Sequence, residues 1–300
     1  MTPYLSHFQP YAGELSVFTQ AMPHDPEKIS FALLWQPDPD FFERYPNVHL
    51  VASIAAGVDN ILACPSRPAD LLVCRNRDPE QAAIMSTFAI WHLIGHQRNF
   101  MTYLEQQRRH QWLRQPMRAP SEVNVGVLGL GFMGERIARD CYALGFNVAG
   151  WRKQEKSTAC SGVQVFHGEK QLQGFLQRTE VLICVLPLTH ETQGILNAWL
   201  FQQLLPNAYL IHIGRGAHLN TEDLFNALEQ GTLTGASIDV FTDEPLPANS
   251  PFWDHPNIIV TPHDASDVRP ATAVNNLVDE LRCYLQQQPL KNIVQPAIGY

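Results

Sequence analysis

The segment Gly129-Leu130-Gly131-Phe132-Met133-Gly134 constrains this chain more than any other. A GxGxxG pattern alone is weak. Here it follows an apolar strand, Val123 to Leu128, and opens an amphipathic helix, Met133 to Leu144, with Ile137, Cys141 and Leu144 on one face. Strand, glycine turn and helix together form the phosphate-binding corner of a dinucleotide fold. Gly129 permits the tight turn, Gly131 lets a pyrophosphate approach the backbone, and Gly134 lets helix and strand pack closely. Phe132 and Met133 are cofactor-binding candidates with these glycines, and the helix N-terminus offers free N–H groups to the phosphates. The plain alternative is a glycine-rich structural turn.

A dinucleotide fold needs further parallel strands, and the sequence supplies them. Phe146 to Trp151, Val181 to Leu188, Ala208 to Ile213, Ala236 to Val240 and Ile258 to Thr261 read as strands. Thr221 starts a helix with Glu222 and Asp223 in its first turn, and Gly231 closes it. Before residue 80 the same alternation appears. Lys28 to Trp35, Val48 to Ser53 and Ala69 to Cys74 read as strands, and Pro79 to about Arg98 as a helix. Strand-helix-strand units require crossovers and therefore parallel sheets. The expected fold class is α/β with two domains. A chain of 300 residues suits two domains at roughly 150 residues each.

The strand after the glycine motif ends Gly150-Trp151-Arg152-Lys153. A carboxylate for the ribose 2′-OH of NAD is expected at about this position. Two cations stand there instead, and Arg can clamp a 2′-phosphate through two bonds and stack on adenine. NADP(H) is therefore the expected cofactor, with NAD(H) possible. The plain alternative makes Arg152 and Lys153 a solvated strand end.

Three polar stretches sit where strands would deliver residues to the C-terminal sheet edge, the ligand side of open α/β sheets. They are Ile213-Gly214-Arg215-Gly216, Asp243-Glu244-Pro245 and Thr261-Pro262-His263. Arg, Glu and His converging there would make an anion clamp and a proton relay. Each taken singly has an ordinary structural explanation.

Charge and composition exclude other classes. Lys plus Arg number 21 and Asp plus Glu 29, a net charge of −8, which disfavours a nucleic-acid binder. No apolar run reaches the roughly 18 residues of a membrane span, and Met1 to Tyr4 do not begin a signal peptide. The six cysteines, Cys64, Cys74, Cys141, Cys160, Cys184 and Cys283, show no CxxC pair. That spacing reads as reduced cytoplasmic thiols, with no disulfide frame and no metal site. Gln106 to Pro120 is polar and basic, and reads as a connection, a subunit-contact arm or a solvated surface segment.

With these residues in hand, the chain resembles the D-isomer-specific 2-hydroxyacid dehydrogenases, and within them the bacterial glyoxylate/hydroxypyruvate reductase A group. The resemblance spans nearly the whole chain. Besides the glycine motif it is carried by Ala56-Gly57-Val58-Asp59, Leu186-Pro187-Leu188-Thr189 with Glu191-Thr192, and Gly214-Arg215-Gly216. Asp239-Val240-Phe241, Asp243-Glu244-Pro245-Leu246-Pro247, Thr261-Pro262-His263 and Gly299-Tyr300 carry it further.

The resemblance implies a reductase that turns a small 2-keto acid, glyoxylate or hydroxypyruvate, into the D-2-hydroxy acid. Arg215 would bind the substrate carboxylate and polarise the C2 carbonyl. His263 would donate the proton, and Glu244 would hold His263 and favour its protonated ring. Backbone N–H groups around Ala56, Gly57 and Val58 would take the carboxylate from the other side, with Trp35 and Trp112 either walls of the pocket or plain packing residues. Trp151, Leu186, Pro187, Thr192 and Ile213 would line the cofactor, and Asp239 would accept from the nicotinamide carboxamide.

The implied architecture has two Rossmann-like domains. A flavodoxin-like substrate domain would comprise residues 1–84 and 272–300, and a dinucleotide domain residues 85–271, with an active-site cleft between them. A homodimer is implied, with contacts near Arg98 to Pro120. Other readings remain: a dehydrogenase of phosphoglycerate or of a bulky 2-keto acid, or a non-catalytic dinucleotide-sensing regulator. Four positions depart from the family pattern. His212 stands where Asn is usual, Asp264 where an apolar residue follows the His, Ser266 where a small apolar residue lies near the nicotinamide, and Thr87 where relatives often carry Glu. An acid beside His263 could compete with Glu244.

Overall fold

The computed structural model describes residues 2–155 and 162–295. Cys160 and the expected Gly299-Tyr300 signature lie outside those residues. The chain divides into two units, residues 1–81 with 267–300, and residues 82–266.

The first unit carries three parallel strands in the order β1-β2-β3: Phe31–Leu34, Leu50–Ser53 and Leu72–Cys74. Alternate residues point to opposite faces, so each face has its own core. Phe41, Phe42, Val51 and Val73 pack on one side. Leu33, Leu50, Ala52 and Cys74 pack with Val274, Leu277 and Val278 on the other. The last three belong to the helix Pro270–Leu285, which Pro270 opens in the first turn. Buried Glu280 on that helix accepts from the backbone of Lys291 and Asn292 and from the Asn292 amide. That anchors the tail, which returns to β3 through Val294 N–H to Val73 O at 2.8 Å.

The second unit is a seven-stranded parallel sheet. Its strands are β4 (Asn124–Leu128), β5 (Asn147–Arg152), β6 (Gln164–His167), β7 (Val181–Cys184), β8 (Ala208–His212), β9 (Leu233–Ile238) and β10 (Ile258–Val260). The order is β10-β9-β8-β7-β4-β5-β6. Winding reverses between β4 and β7, and ligands bind at such a switch point in open α/β sheets. Strands β4, β5, β7, β8 and β9 are buried on both faces, and the edge strands β6 and β10 only in part. Val125, Val127 and Ile183 face the helices Pro79–Gln97 and Phe132–Ala143. Leu128, Leu182 and Cys184 face the helices Gly168–Leu176, Ala198–Gln203 and Thr221–Glu229.

The compact units divide at 81/82 and 266/267, within a few residues of the expected domain ends. Arg269 reaches back to Asp78 at 3.4 Å and to Glu80 at 2.5 Å, which ties the start of the last helix to the first unit. The strand expected over Lys28 to Trp35 is only Phe31–Leu34, because Asp25 caps a 3₁₀ turn over Pro26–Lys28. Strand β6 and the helices Gly168–Leu176 and Ala198–Gln203 had no distinct sequence signal. Polar Gln164 and His167 bound a strand with only Val165 and Phe166 inside it. The polar connection is in part a helix, Phe100–Arg108. None of the described helices is long and apolar enough to cross a membrane.

Candidate active site

The glycine turn follows β4, at the switch point. Gly129 has φ of +114°, which L side chains rarely adopt. A Cβ on Gly134 would come 1.9 Å from the Gly129 carbonyl oxygen. These two glycines let the backbone close on itself. Gly131 differs: a Cβ there would meet nothing within 4 Å. Space therefore lies beside its backbone, where the family's pyrophosphate would sit. Gly131 is the N-cap of the twelve-residue helix Phe132–Ala143, and the first turn of a helix directs its N–H groups toward an anion. Met133 is buried under the turn. The residues present fit a dinucleotide.

At the basic end of β5, Arg152 is buried and Lys153 exposed. Arg152 is only 6% exposed, and its guanidinium lies 3.3 Å from Glu135 in the first turn of the motif helix. Lys153 is ion-paired with Glu191. Neither carboxylate partner was foreseen, because each lies on a different element and no local pattern joins it to its cation. Trp151 is buried and donates its indole N–H to Gly168 O at 2.9 Å. Leu186 and Ile213 are buried as well. Thr192 folds the segment after β7 into a turn: its hydroxyl donates to Pro187 O at 2.8 Å and accepts from Thr189 N–H at 2.8 Å.

Arg215, Glu244 and His263 follow the adjacent strands β8, β9 and β10, at the same C-terminal sheet edge. His263 Nδ1 lies 2.8 Å from Glu244 Oε2. Glu244 is itself fixed, since its Oε1 accepts from Phe241 N–H at 2.8 Å. The carboxylate accepts the Nδ1 proton, which leaves Nε2 as the ring atom for exchange with a ligand. Asp264 is exposed and does not displace Glu244 from this bond.

The backbone of His263 is unusual, with φ of +55°. A non-glycine residue there is strained unless its surroundings hold it. Buried Asp239 does so. Its carbonyl accepts from His263 N–H at 2.8 Å, and its carboxylate accepts from Thr261 Oγ1, Asp264 N–H and Ala265 N–H at 2.7, 2.9 and 3.0 Å. Of about four acceptor positions on a carboxylate, three are taken. Asp239 is first a strut for the His263 turn, and a carboxamide would have to use the remaining position.

Arg215 sits between two buried imidazoles. Its N–H donates to His218 Nδ1 at 3.0 Å, and its carbonyl lies 2.9 Å from His212 Nε2. Both rings are fully buried. With Cys184 they form a close group whose ligating atoms lie within 4.8 Å of one another. His218 Nε2 lies 3.2 Å from Pro187 O. Both His218 nitrogens and His212 Nε2 are thus engaged by backbone groups.

In the first unit, Ala56 and Gly57 form the turn after β2, and Val58 is buried behind them. Ser53 shapes the turn, donating to Gly57 O at 2.7 Å and accepting from Ala55 N–H at 3.1 Å. The N–H groups of Ala56, Gly57 and Val58 make no hydrogen bond among the described residues. Trp35 follows β1 directly and is half-buried, whereas Trp112 is 94% exposed. Thr87 is also exposed, its hydroxyl donating to Ile84 O at 2.8 Å.

The profile of the D-isomer-specific 2-hydroxyacid dehydrogenase NAD-binding domain matches residues 90–265. The chain belongs to the D-isomer-specific 2-hydroxyacid dehydrogenase family. It is 36% identical over 283 residues to glyoxylate/hydroxypyruvate reductase A of Serratia proteamaculans, a match that covers 93% of this chain and 90% of the relative. Among solved structures, a D-isomer-specific 2-hydroxyacid dehydrogenase of Xanthobacter autotrophicus in complex with NADPH and MES superposes with a TM-score of 0.94. It is 37% identical and covers 100% of this chain and 96% of its own. The NADPH-dependent glyoxylate/hydroxypyruvate reductase of Sinorhizobium meliloti, in complex with NADP and sulfate, gives 0.86 at 34% identity, covering 91% and 87%. The α/β fold with parallel sheets is that of this dehydrogenase family.

Proposed function

We propose that this dehydrogenase reduces glyoxylate or hydroxypyruvate to glycolate or D-glycerate with NADPH. The observation that carries the reading is the His263–Glu244 pair, held at the same sheet edge as Arg215, in a family whose relatives include named glyoxylate/hydroxypyruvate reductases. Gly129, Gly131, Phe132, Met133 and Gly134 would hold the pyrophosphate. Arg152 and Lys153 would take the 2′-phosphate, with Trp151, Leu186, Pro187, Thr192, Ile213 and Asp239 around the rest of the dinucleotide. When bound, the dinucleotide supplies the hydride that reduces the C2 carbonyl. Arg215 binds the substrate carboxylate and draws electron density from that carbonyl. His263, as imidazolium, donates its Nε2 proton to the carbonyl oxygen, while Glu244 fixes the ring through Nδ1. The N–H groups of Ala56, Gly57 and Val58 are further donors for the carboxylate, and Trp35 a wall beside them. In this reading residues 1–84 with 272–300 serve the substrate and residues 85–271 the dinucleotide.

The cofactor preference follows from charge. Glu135 and Glu191 neutralise Arg152 and Lys153 while no phosphate competes. A 2′-phosphate would replace those carboxylates with a stronger anion. Oxidation of NADPH and of NADH is to be followed against a panel of 2-keto acids that includes phosphohydroxypyruvate, for the wild type and Arg152→Asp. The expectation is turnover of glyoxylate and hydroxypyruvate, an NADPH preference in the wild type, and loss of that preference in the variant. No turnover of any 2-keto acid by folded, cofactor-bound protein would sink the enzyme reading and favour a dinucleotide sensor.

The arm after the helix Phe100–Arg108 exposes Trp112, Leu113 and Met117, and that helix exposes Phe100, Met101 and Leu104. So much exposed apolar surface in one segment suits a subunit interface. A homodimer through Arg98 to Pro120 is the proposed assembly. Sedimentation at micromolar concentration should return the dimer mass, and a monomer mass would remove this part. The five described cysteines are all free and buried, which suits a cytoplasmic enzyme.

A further inference from the structure

We propose that His212 and His218 are positioning residues that aim Arg215 at the substrate carboxylate by holding both polar groups of its main chain. The inference rests on the reading of Arg215 as the carboxylate ligand.

The hydrogen bonds define both rings. His218 Nδ1 accepts from Arg215 N–H at 3.0 Å, so its proton resides on Nε2, which donates to Pro187 O at 3.2 Å. One imidazole therefore joins the Arg215 amide to the loop after β7 proposed to line the cofactor. His212 acts with the opposite polarity. Its Nε2 donates to the Arg215 carbonyl at 2.9 Å, which leaves Nδ1 as the unprotonated nitrogen when the ring is neutral. The His218 bond requires a neutral ring, because an imidazolium there would lose the acceptor that Arg215 N–H needs, whereas the donation from His212 Nε2 is possible in either state. Burial, reinforced by the neighbouring His218, pushes His212 down to about 3, so its ring is neutral at every working pH.

The turn between the two rings has little freedom. A Cβ on Gly214 would come 2.9 Å from His218 Nδ1, and one on Gly216 would come 2.0 Å from the Phe241 carbonyl carbon. A long, flexible arginine thus projects from a backbone gripped on both sides. Holding the ligating group in place before binding lowers the entropy lost on binding. A residue acting only through packing would need shape at position 212. A residue acting through this bond needs a donor at the Nε2 position, and Gln can supply one there.

The test uses the full chain loaded with NADPH. Variants His212→Leu, His212→Gln, Arg215→Met and the double variant His212→Leu/Arg215→Met are compared. The readouts are KM for glyoxylate, the dissociation constant for oxalate, and that for NADPH by nucleotide fluorescence. Loss of the donor to a buried carbonyl should weaken oxalate binding and raise KM about tenfold. NADPH binding should stay unchanged, His212→Gln should recover most of the loss, and His212→Leu should add nothing when Arg215 is already Met.

If Arg215→Met leaves oxalate binding and KM unchanged, the carboxylate-ligand reading itself fails. If Arg215→Met weakens both while His212→Leu does not, or if the two losses add, the positioning role alone is overturned. Should His212→Leu not fold, His218→Asn and His218→Leu replace it. Asn keeps an acceptor at the Nδ1 position and Leu does not, so equal KM values for these two would overturn the proposal.

Discussion

Replacing His263 with Ala is expected to lower kcat for 2-keto acid reduction by about 10²–10⁴-fold, the usual contribution of a positioned general acid. The loss should fall on kcat and kcat/KM together, because the proton moves only in the transition state. NADPH binding should be nearly unchanged, since the glycine turn lies after β4 and His263 after β10. Glu244→Gln should cost less. A glutamine at that position can still bond the ring, but its amide can donate to Nδ1 and so leave the proton on Nε2 of a neutral ring. The expected signature is a reduced kcat that recovers little as the pH is lowered. Steady-state rates with glyoxylate, paired with NADPH titrations, check both variants. A His263→Ala enzyme within about threefold of wild type in kcat would assign the acid to another group.

Acid should destabilise this protein well before its carboxylates titrate. His212 and His92 are buried, and burial pushes their pKa values down to about 3 and about 4 from 6.5. His96, stacked on Tyr209, moves in the same direction for the same reason. The sign follows from proton binding. Between pH 6.5 and the depressed values, an unfolded histidine holds a proton that the folded one does not. Stability therefore rises with pH through this window and falls on acidification. Moving from pH 7 to pH 5 should cost about 2 kcal/mol for each of His212 and His92. Together that is a large part of the 5–15 kcal/mol typical of a domain. Urea midpoints at pH 7 and pH 5 measure it, and His212→Gln should flatten the dependence by roughly its own share. Equal midpoints at the two pH values in the wild type would refute neutral burial of these rings.

Much of the site was legible because its chemistry is written locally. The GxGxxG needs only six consecutive residues between a strand and a helix. Gly214-Arg215-Gly216, Glu244 and Thr261-Pro262-His263 each follow a strand, and a parallel sheet brings successive strand ends to one edge. Contacts between distant segments were not legible. Nothing near Arg152 in the sequence announces Glu135, and nothing near Lys153 announces Glu191. Asp239 had a single expected role, yet its four acceptances within residues 261–265 are what hold His263 in a left-handed backbone. His212 looked like a departure from the family pattern, and in the fold it grips Arg215.

The sequence by itself determined the fold class, the glycine turn after β4 and which candidate side chains follow each strand end. Those depend on spacing, on strand and helix periodicity, and on residue chemistry. Only the tertiary structure decided how these groups are held. It showed which nitrogen of His263 Glu244 engages, which carboxylates neutralise the basic strand end, and that two buried imidazoles clasp the backbone of Arg215. Such bonds join residues up to tens of positions apart, and their geometry exists only once the sheet has set its strands side by side.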